Sequence, residues 1–224
     1  MSKSSAATSP AITSKLDGRK ENAAVTQAAL RTAGRRLFGR QGYEATSVSA
    51  LCADAGVTAG ALYHHFGDKK GLFAAVAEEL DSNLVKLVTK VSGDTVAKGG
   101  TPWDAFLAGV DALLRAGVER EARRIGLFDA PAVLGSEAWV AIRERHGLGA
   151  MIRTVETLQA LDVLAPGDSR RLARVILGLL YGAIEALPDD PAAVETALAE
   201  TRRMTYAMLR SLCQEHAIAT PRMT

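Results

Sequence analysis

A chain of 224 residues spans one or two domains and buries a sizeable core unaided. A disulfide-stapled miniprotein is therefore excluded. Forty Ala and 26 Leu stand against 11 aromatic residues, a mixture that favours helix, since strands need branched and aromatic side chains; an all-α fold is expected. Charge is nearly balanced, 27 Lys and Arg against 25 Asp and Glu, so any case for a polyanionic partner rests on where the charges sit. Residues 1–70 carry ten basic and five acidic side chains (net +5) and residues 71–224 seventeen and twenty (net −3). A basic N-terminal unit thus precedes an acidic body.

The first residues, Met1 to Ser14, are rich in Ser, Thr and Ala and lack the apolar run of a signal peptide; residues 1–18 read as a disordered tail. From Glu21 to Gln41, Leu30, Ala33, Leu37 and Phe38 form one helical stripe, with Arg31, Arg35, Arg36 and Arg40 on the other faces. Gly42 ends it. Thr46 or Ser47 caps a short helix whose buried stripe is Val48, Leu51, Cys52 and Ala55, and Gly56 breaks it. Thr58 caps a third helix, Ala59 to about Phe66, and Asp68 a fourth, running to about Val91 with Leu72, Val76, Leu80, Leu84 and Leu87 on one side. Ser92–Gly100 reads as a break. Pro102 then opens a helix to about Val118, followed by helical pattern over 119–134 and 136–161. Pro166-Gly167-Asp168 and Pro188-Asp189-Asp190-Pro191 punctuate two last helices, about 168–187 and 191–214, making about nine in all. No stretch reaches the ~18 uncharged apolar residues of a membrane span. Cys52 and Cys213 are isolated and form no CxxC, which fits small buried residues in a reducing cytoplasm.

Leu172 to Leu187 is apolar on every side, which predicts burial on two fronts. Gly178, Gly182 and Ala186 form a smooth ridge at four-residue spacing, where a second helix approaches closely. Leu172, Val175, Ile176, Leu179, Gly182, Ala183 and Ala186, with Val194, Leu198, Thr201, Thr205 and Met208 of the final helix, read as half of a four-helix bundle completed by a second copy. The alternative is an ordinary intrachain core.

Residues 48–66, VSALCADAGVTAGALYHHF, have the spacing of two short helices packed across a Gly turn, a helix-turn-helix. Burial takes Leu51, Cys52, Ala55, Val57 and Leu62, leaving Thr58, Ala59, Gly60, Tyr63 and His64 outward. Such a helix is small at its N-terminal end and fits the ~12 Å wide major groove. Thr58 offers a hydroxyl to a base or phosphate; Ala59 and Gly60 permit close approach; Tyr63, His64 and His65 offer hydrogen bonds to phosphate oxygens. Lys69, in the first turn of the fourth helix, places an ammonium beside free backbone N–H groups, unfavourable against the helix dipole unless an anion lies opposite. A metal at the double His is disfavoured, because adjacent helical residues point ~100° apart whereas chelation wants i and i+4. No cofactor or metal is expected.

Gly42-Tyr43-Glu44-Ala45-Thr46-Ser47-Val48, then Ala55-Gly56-Val57-Thr58-Ala59-Gly60-Ala61-Leu62-Tyr63-His64-His65-Phe66, then Asp68-Lys69 and Leu72-Phe73, resemble the DNA-binding domain of TetR-family transcriptional regulators over about residues 22–75. Cys52, where Ala is usual, and Gly34, which weakens the first helix, depart from the pattern, yet both are small enough to pack. The resemblance implies a nine-helix homodimer whose first three helices bind operator DNA, with the rest forming a ligand-binding and dimerisation domain. Here that division is 19–70 for DNA binding and 71–215 for ligand and dimer, helix 71–91 linking the two and 216–224 forming a tail. By position it puts Thr58, Ala59, Gly60 and His64 on the recognition helix, Tyr63, His65 and Lys69 at phosphates, and Thr46 and Ser47 at the start of the second helix, which often contacts phosphates as well.

The partners implied are double-stranded operator DNA, a second copy of the chain and a small-molecule effector, with no membrane. Candidate pocket residues are the large ones of the body: Trp103, Phe106, Val110, Phe128, Trp139, Ile142, His146, Met151 and Tyr181. They suit an apolar or aromatic effector, although domains bury aromatic residues in any case. Repression is expected over activation, because the family mostly represses and no separate activation segment is visible. An enzyme is disfavoured: the sequence has no Ser-His-acid set, paired carboxylates on short spacing, GxxxxGK or HExxH. A helical interaction module without DNA is the remaining alternative.

Overall fold

The computed structural model of the chain describes residues 10–214. The described residues form helices α1 (Pro10–Gln41), α2 (Val48–Ala55), α3 (Ala59–Phe66), α4 (Lys69–Ala97), α5 (Pro102–Ala116) and α6 (Arg120–Arg123). A π-helical turn (Arg124–Asp129) runs on into α7 (Ala130–Leu134), and α8 (Ser136–Arg145), α9 (Gly147–Ala160), α10 (Ser169–Glu185) and α11 (Pro191–Arg210) follow. Among them is no strand, only an isolated bridge between Leu164 and Cys213. The all-α fold is as expected, and no described helix is long and apolar enough to cross a membrane.

Local chemistry sets most boundaries. Ser47 accepts from Ala50 N–H, Thr58 from Ala61 N–H and Asp68 from Gly71 N–H, each satisfying an orphan donor of a first helical turn. Gly56 turns the chain between α2 and α3 at φ +65°, the left-handed region where a side chain is strained. Thr101 and Asp104 form a reciprocal capping box on α5, and Asp168 and Asp190 cap α10 and α11.

Three boundaries differ from expectation. Helix α1 begins at Pro10, so its helical backbone takes in residues 10–18, assigned above to a tail; Pro at a first helical position forfeits no hydrogen bond. Residues 1–9 and the proposed C-terminal tail, 216–224, lie outside the described residues. Helix α4 passes through Ser92-Gly93 and ends at Ala97, after which the chain turns at Gly99 (φ +86°); Ser92 Oγ donates to the Ala105 carbonyl, tying this stretch to α5. The 136–161 helix is two helices, broken at His146 (φ −120°, ψ −94°).

Two apolar clusters form the core. The first packs Leu30 and Phe38 of α1, Leu51 and Cys52 of α2, Leu62 of α3 and Leu72, Phe73 and Val76 of α4, and it extends to Ile125, Leu134, Trp139 and Ile142. Phe73 lies edge-on to Phe38 and Tyr43, ring centroids 5.1 Å apart in each pair. The second cluster joins α5, α9, α10 and α11 through Phe106, Leu114, Val155, Leu158, Ile176, Leu180 and Leu198. The boundary near residue 70 is therefore no gap between cores, since the first is roofed by the π turn, α7 and α8.

Candidate nucleic-acid interface and cavities

Capping by Thr58 and the Gly56 turn hold α3 with Leu62 inward and Thr58, Ala59, Gly60, Tyr63 and His64 exposed, as the spacing predicts. Tyr63 is 53% exposed. His65 is half-buried, its Nδ1 3.4 Å from Gln27 Nε2 of α1. Ser47 remains exposed at the start of α2. Thr46 corrects the expectation: it is 1% exposed. Its hydroxyl donates to the Gly42 carbonyl (2.7 Å) and accepts from Gln41 Nε2 (3.2 Å), so it pins the α1–α2 turn rather than offering a contact outside.

Lys69 is half-buried. Its Nζ donates to the Tyr43 carbonyl at 3.0 Å and lies 4.0 Å from the centre of the Tyr43 ring. This carbonyl and π face offset the repulsion between an ammonium and a helix N-terminus.

The same turn that carries Tyr43 is joined to the body. Asp129 accepts from Tyr43 N–H at 3.1 Å, Arg124 donates to the Arg40 carbonyl at 2.8 Å, and Arg35 and Arg40 pair with Glu119 and Glu121. Asp129 and Arg124 belong to the π turn, whose Gly126 and Leu127 line a cavity. One widened turn therefore touches both the N-terminal helices and an internal space, a placement in which π insertions recur.

Two largely apolar cavities flank α4. One of about 240 Å³ lies between α1, α4, α5, α6, the π turn, α8 and α10; the other, about 380 Å³, lies between α4, α5, α9 and α10. Leu84, Leu113, Asp81 and Tyr181 belong to both linings. Burial pushes the Asp81 carboxyl above its ordinary value, against the lowering effect of Gly147 N–H (3.0 Å), Arg143 and His146. Burial likewise pushes the Tyr181 phenol up to about 12, with Asp81 adding and Arg143 opposing. The Arg143 guanidinium stands 4.0 Å over the Tyr181 ring.

Of the expected pocket residues, Phe106, Val110 and Met151 line the larger cavity, Trp139 the smaller and Tyr181 both. The others lie elsewhere. Phe128 is 48% exposed, Ile142 is buried in the first core, and Trp103 packs against the second core at 5.2 Å from Phe106. His146 meets Glu78 at 3.2 Å, because the α8–α9 break turns it toward α4. Asp81 and Arg143 are cavity residues that sequence reasoning missed. One signal existed for Asp81: Ala77, Asp81, Leu84 and Val88 share a helical stripe, and a carboxylate in an apolar stripe needs an explanation.

On α10 and α11 the predicted interface set divides. Val175, Gly182, Ala186 and Met208 are exposed and Leu172, Leu179 and Ala183 half-buried. Ile176, Val194, Leu198, Thr201 and Thr205 are buried within the chain itself, because the inner sides of these helices cover the second core; they are not surface. The exposed face also holds Gly178 and Met204, and a Cβ added at Gly178 or Gly182 would meet nothing within 4 Å.

Comparison with known proteins agrees with this architecture. Residues 30–76 match the family model described as bacterial regulatory proteins, tetR family, and residues 103–212 the tetracyclin repressor-like C-terminal domain. The HTH-type transcriptional regulator AcrR of Shigella flexneri is 29% identical over 174 residues, 74% of this chain and 80% of that protein. The HTH-type transcriptional repressor AcnR of Corynebacterium glutamicum is 41% identical over 56 residues, only 25% of this chain and 30% of its own length. The crystal structure of a TetR-family transcriptional regulator from Pectobacterium atrosepticum is 33% identical, covers 90% of this chain and 98% of its own, and superposes with a TM-score of 0.69. The chain therefore belongs to the TetR family of DNA-binding transcriptional regulators.

Proposed function

We propose that the protein is a cytoplasmic, homodimeric repressor that binds operator DNA through α3 and is released by a small, largely apolar effector held beside α4, acting by binding and not by catalysis. The observation that carries this reading is the course of α4, whose 29 residues extend ~44 Å. Its first turns hold the α3 unit while its middle turns wall both cavities. Half-sites about one DNA turn apart (~34–36 Å) demand a fixed separation of two recognition helices. An effector favouring another course of α4 weakens DNA binding by the ratio of its affinities for the two states.

Thr58, Ala59, Gly60 and His64 face base edges in this reading, and Ser47, Tyr63, His65 and Lys69 phosphates. The Val175, Gly178, Gly182, Ala186, Met204 and Met208 face supports dimerisation through α10 and α11, since bare glycine backbone admits a second helix closely. Gel retardation of the DNA upstream of its own gene tests the function. Specific, salt-sensitive binding is expected, with Tyr63→Phe and Lys69→Ala weakening it and only the loss of the Lys69 charge lowering the salt slope, by about 1. Binding that is absent, or indifferent to salt, sinks the regulator reading in favour of a protein-interaction module. Expression from the operator that falls when the gene is deleted sinks repression.

A further inference from the structure

The charges around the cavities restrict what they hold. In the smaller cavity Arg35 is paired with Glu119 at 2.7 Å, and Arg123 is held by Asp189 and the Leu187 carbonyl. Two charged groups remain. Arg143 makes no ion pair within 4.0 Å among the described residues, and its guanidinium carbon stands 4.0 Å from the centre of the Tyr181 ring. Asp81 uses Oδ2 to accept Gly147 N–H, and its Oδ1 has no hydrogen-bond partner among the described residues. The Tyr181 hydroxyl likewise has none. Asp81 and Tyr181 are the polar residues common to both cavities, and the remaining shared wall, Leu84 and Leu113, is apolar.

Asp81 and Arg143 already offset one another, the guanidinium lowering the Asp81 carboxyl against the effect of its burial. An ionic head of either sign drawn to one of them competes with the other and leaves one charge unbalanced beside a largely apolar wall. An uncharged head carrying one donor and one acceptor meets neither penalty and satisfies both free groups. We infer that the effector is an uncharged, largely apolar hydroxylated molecule, whose hydroxyl sits at the seam, donating to Asp81 and accepting from the Tyr181 hydroxyl, while its apolar body occupies the larger cavity. The inference rests on the effector reading above and names its chemical class. It also gives the hydroxyl a route to α4. Asp81 ties α4 to the first N–H of α9, and Glu78, one turn earlier, holds Arg145 and His146 at the α8–α9 break, so a ligand that pulls on Asp81 acts on the joint between α4 and the body.

Four probes of one shape separate the possibilities by titration calorimetry on the full-length protein: 4-phenylphenol, 4-methoxybiphenyl, biphenyl-4-carboxylate and 4-phenylbenzylamine. The phenol should bind at least about tenfold more tightly than the ether, which lacks the donor, and than either ion. Tyr181→Phe and Asp81→Asn should each cut its lead over the ether to about threefold or less. Asp81→Asn also touches the start of α9; if it fails to fold, Tyr181→Phe decides, since its hydroxyl supports nothing in the unliganded chain. Binding of either ion as tightly as the phenol overturns the inference, as does a lead that survives Tyr181→Phe, or no heat from any probe at millimolar concentration. Retardation of operator DNA with the same probes keeps the two readings apart. Selective binding of the phenol without DNA release keeps the effector class and defeats release, whereas release by an ion alone does the reverse.

Discussion

Helices α2, α3 and α4 each begin with a residue whose own side chain accepts a backbone N–H three positions on: Ser47, Thr58 and Asp68. Helices α6 to α9 have no such side-chain cap. There the carboxylates that could serve are spent across the molecule. Asp129 stands at the start of α7 yet accepts from Tyr43 N–H, and the first N–H of α9 is met by Asp81 of α4. The helix-turn-helix unit is closed by local chemistry, while the middle of the body is closed by tertiary contacts that also join it to that unit. In the proposed reading, a ligand that competes for those contacts would alter the joint without unfolding the helix-turn-helix.

The largest expected effect tests whether the N-terminal core is one cooperative piece with its roof. Phe73 is fully buried against Phe38 and Tyr43, so Phe73→Ala should cost about 3–5 kcal/mol in denaturant unfolding and abolish operator retardation. A loss under about 1 kcal/mol would show the core to be loosely packed and the division between the two regions misplaced. Next comes Arg123, 6% exposed, which donates to the Leu187 carbonyl at 3.0 Å and pairs with the exposed Asp189. Arg123→Ala leaves that carbonyl without its donor and should cost about 1–3 kcal/mol. Hydrogen exchange should place the loosening at the α6 and α10 ends rather than in α2 and α3. Thr58→Ala is smaller, about 1 kcal/mol, and should act in the opposite place, raising exchange at the α3 N-terminus alone.

The same contrast decides what was legible in the sequence. The helix-turn-helix could be read because its signals sit within three or four residues of what they control: Thr58 with Ala61, Gly56 with its turn, and Leu51 and Leu62 with their stripes. The break at His146 could not, because the group that caps Gly147 lies 66 positions earlier in the chain. The same applies to the cavities. Trp139 and Tyr181 were found because large residues are conspicuous, but Asp81 and Arg143 acquire their meaning only from what faces them. On α10, continuous apolarity led to an expectation of burial on two fronts; the chain itself buries Ile176 on the inner side and leaves Val175 62% exposed, a division that periodicity alone could not make.

The smallest effect concerns two carboxylates one turn apart on α4. Burial alone would raise the Glu78 carboxyl, but hydrogen bonds from Arg145 and His146 outweigh it and hold the group below its ordinary 4.5. A carboxyl lower in the folded than in the unfolded state stabilises fully above the unfolded value, and that contribution is lost as pH falls through the folded one. Asp81 runs the other way. Burial holds it above its ordinary 3.8, so the folded state keeps the proton longer and stability declines as pH rises from that value through the folded one. Glu78→Gln should therefore flatten the loss of stability on the acid side of about pH 4.5, while Asp81→Asn should remove a decline beginning near pH 3.8 and leave the acid-side loss steeper. The Glu78 side chain is 38% exposed, and solvent screening keeps its share below about 1 kcal/mol. Melting temperatures taken between about pH 3 and about 6 read both signs. Two variants that shift the curve in the same direction would mean that Asp81 is solvated like Glu78, and that the seam between the cavities is open to water.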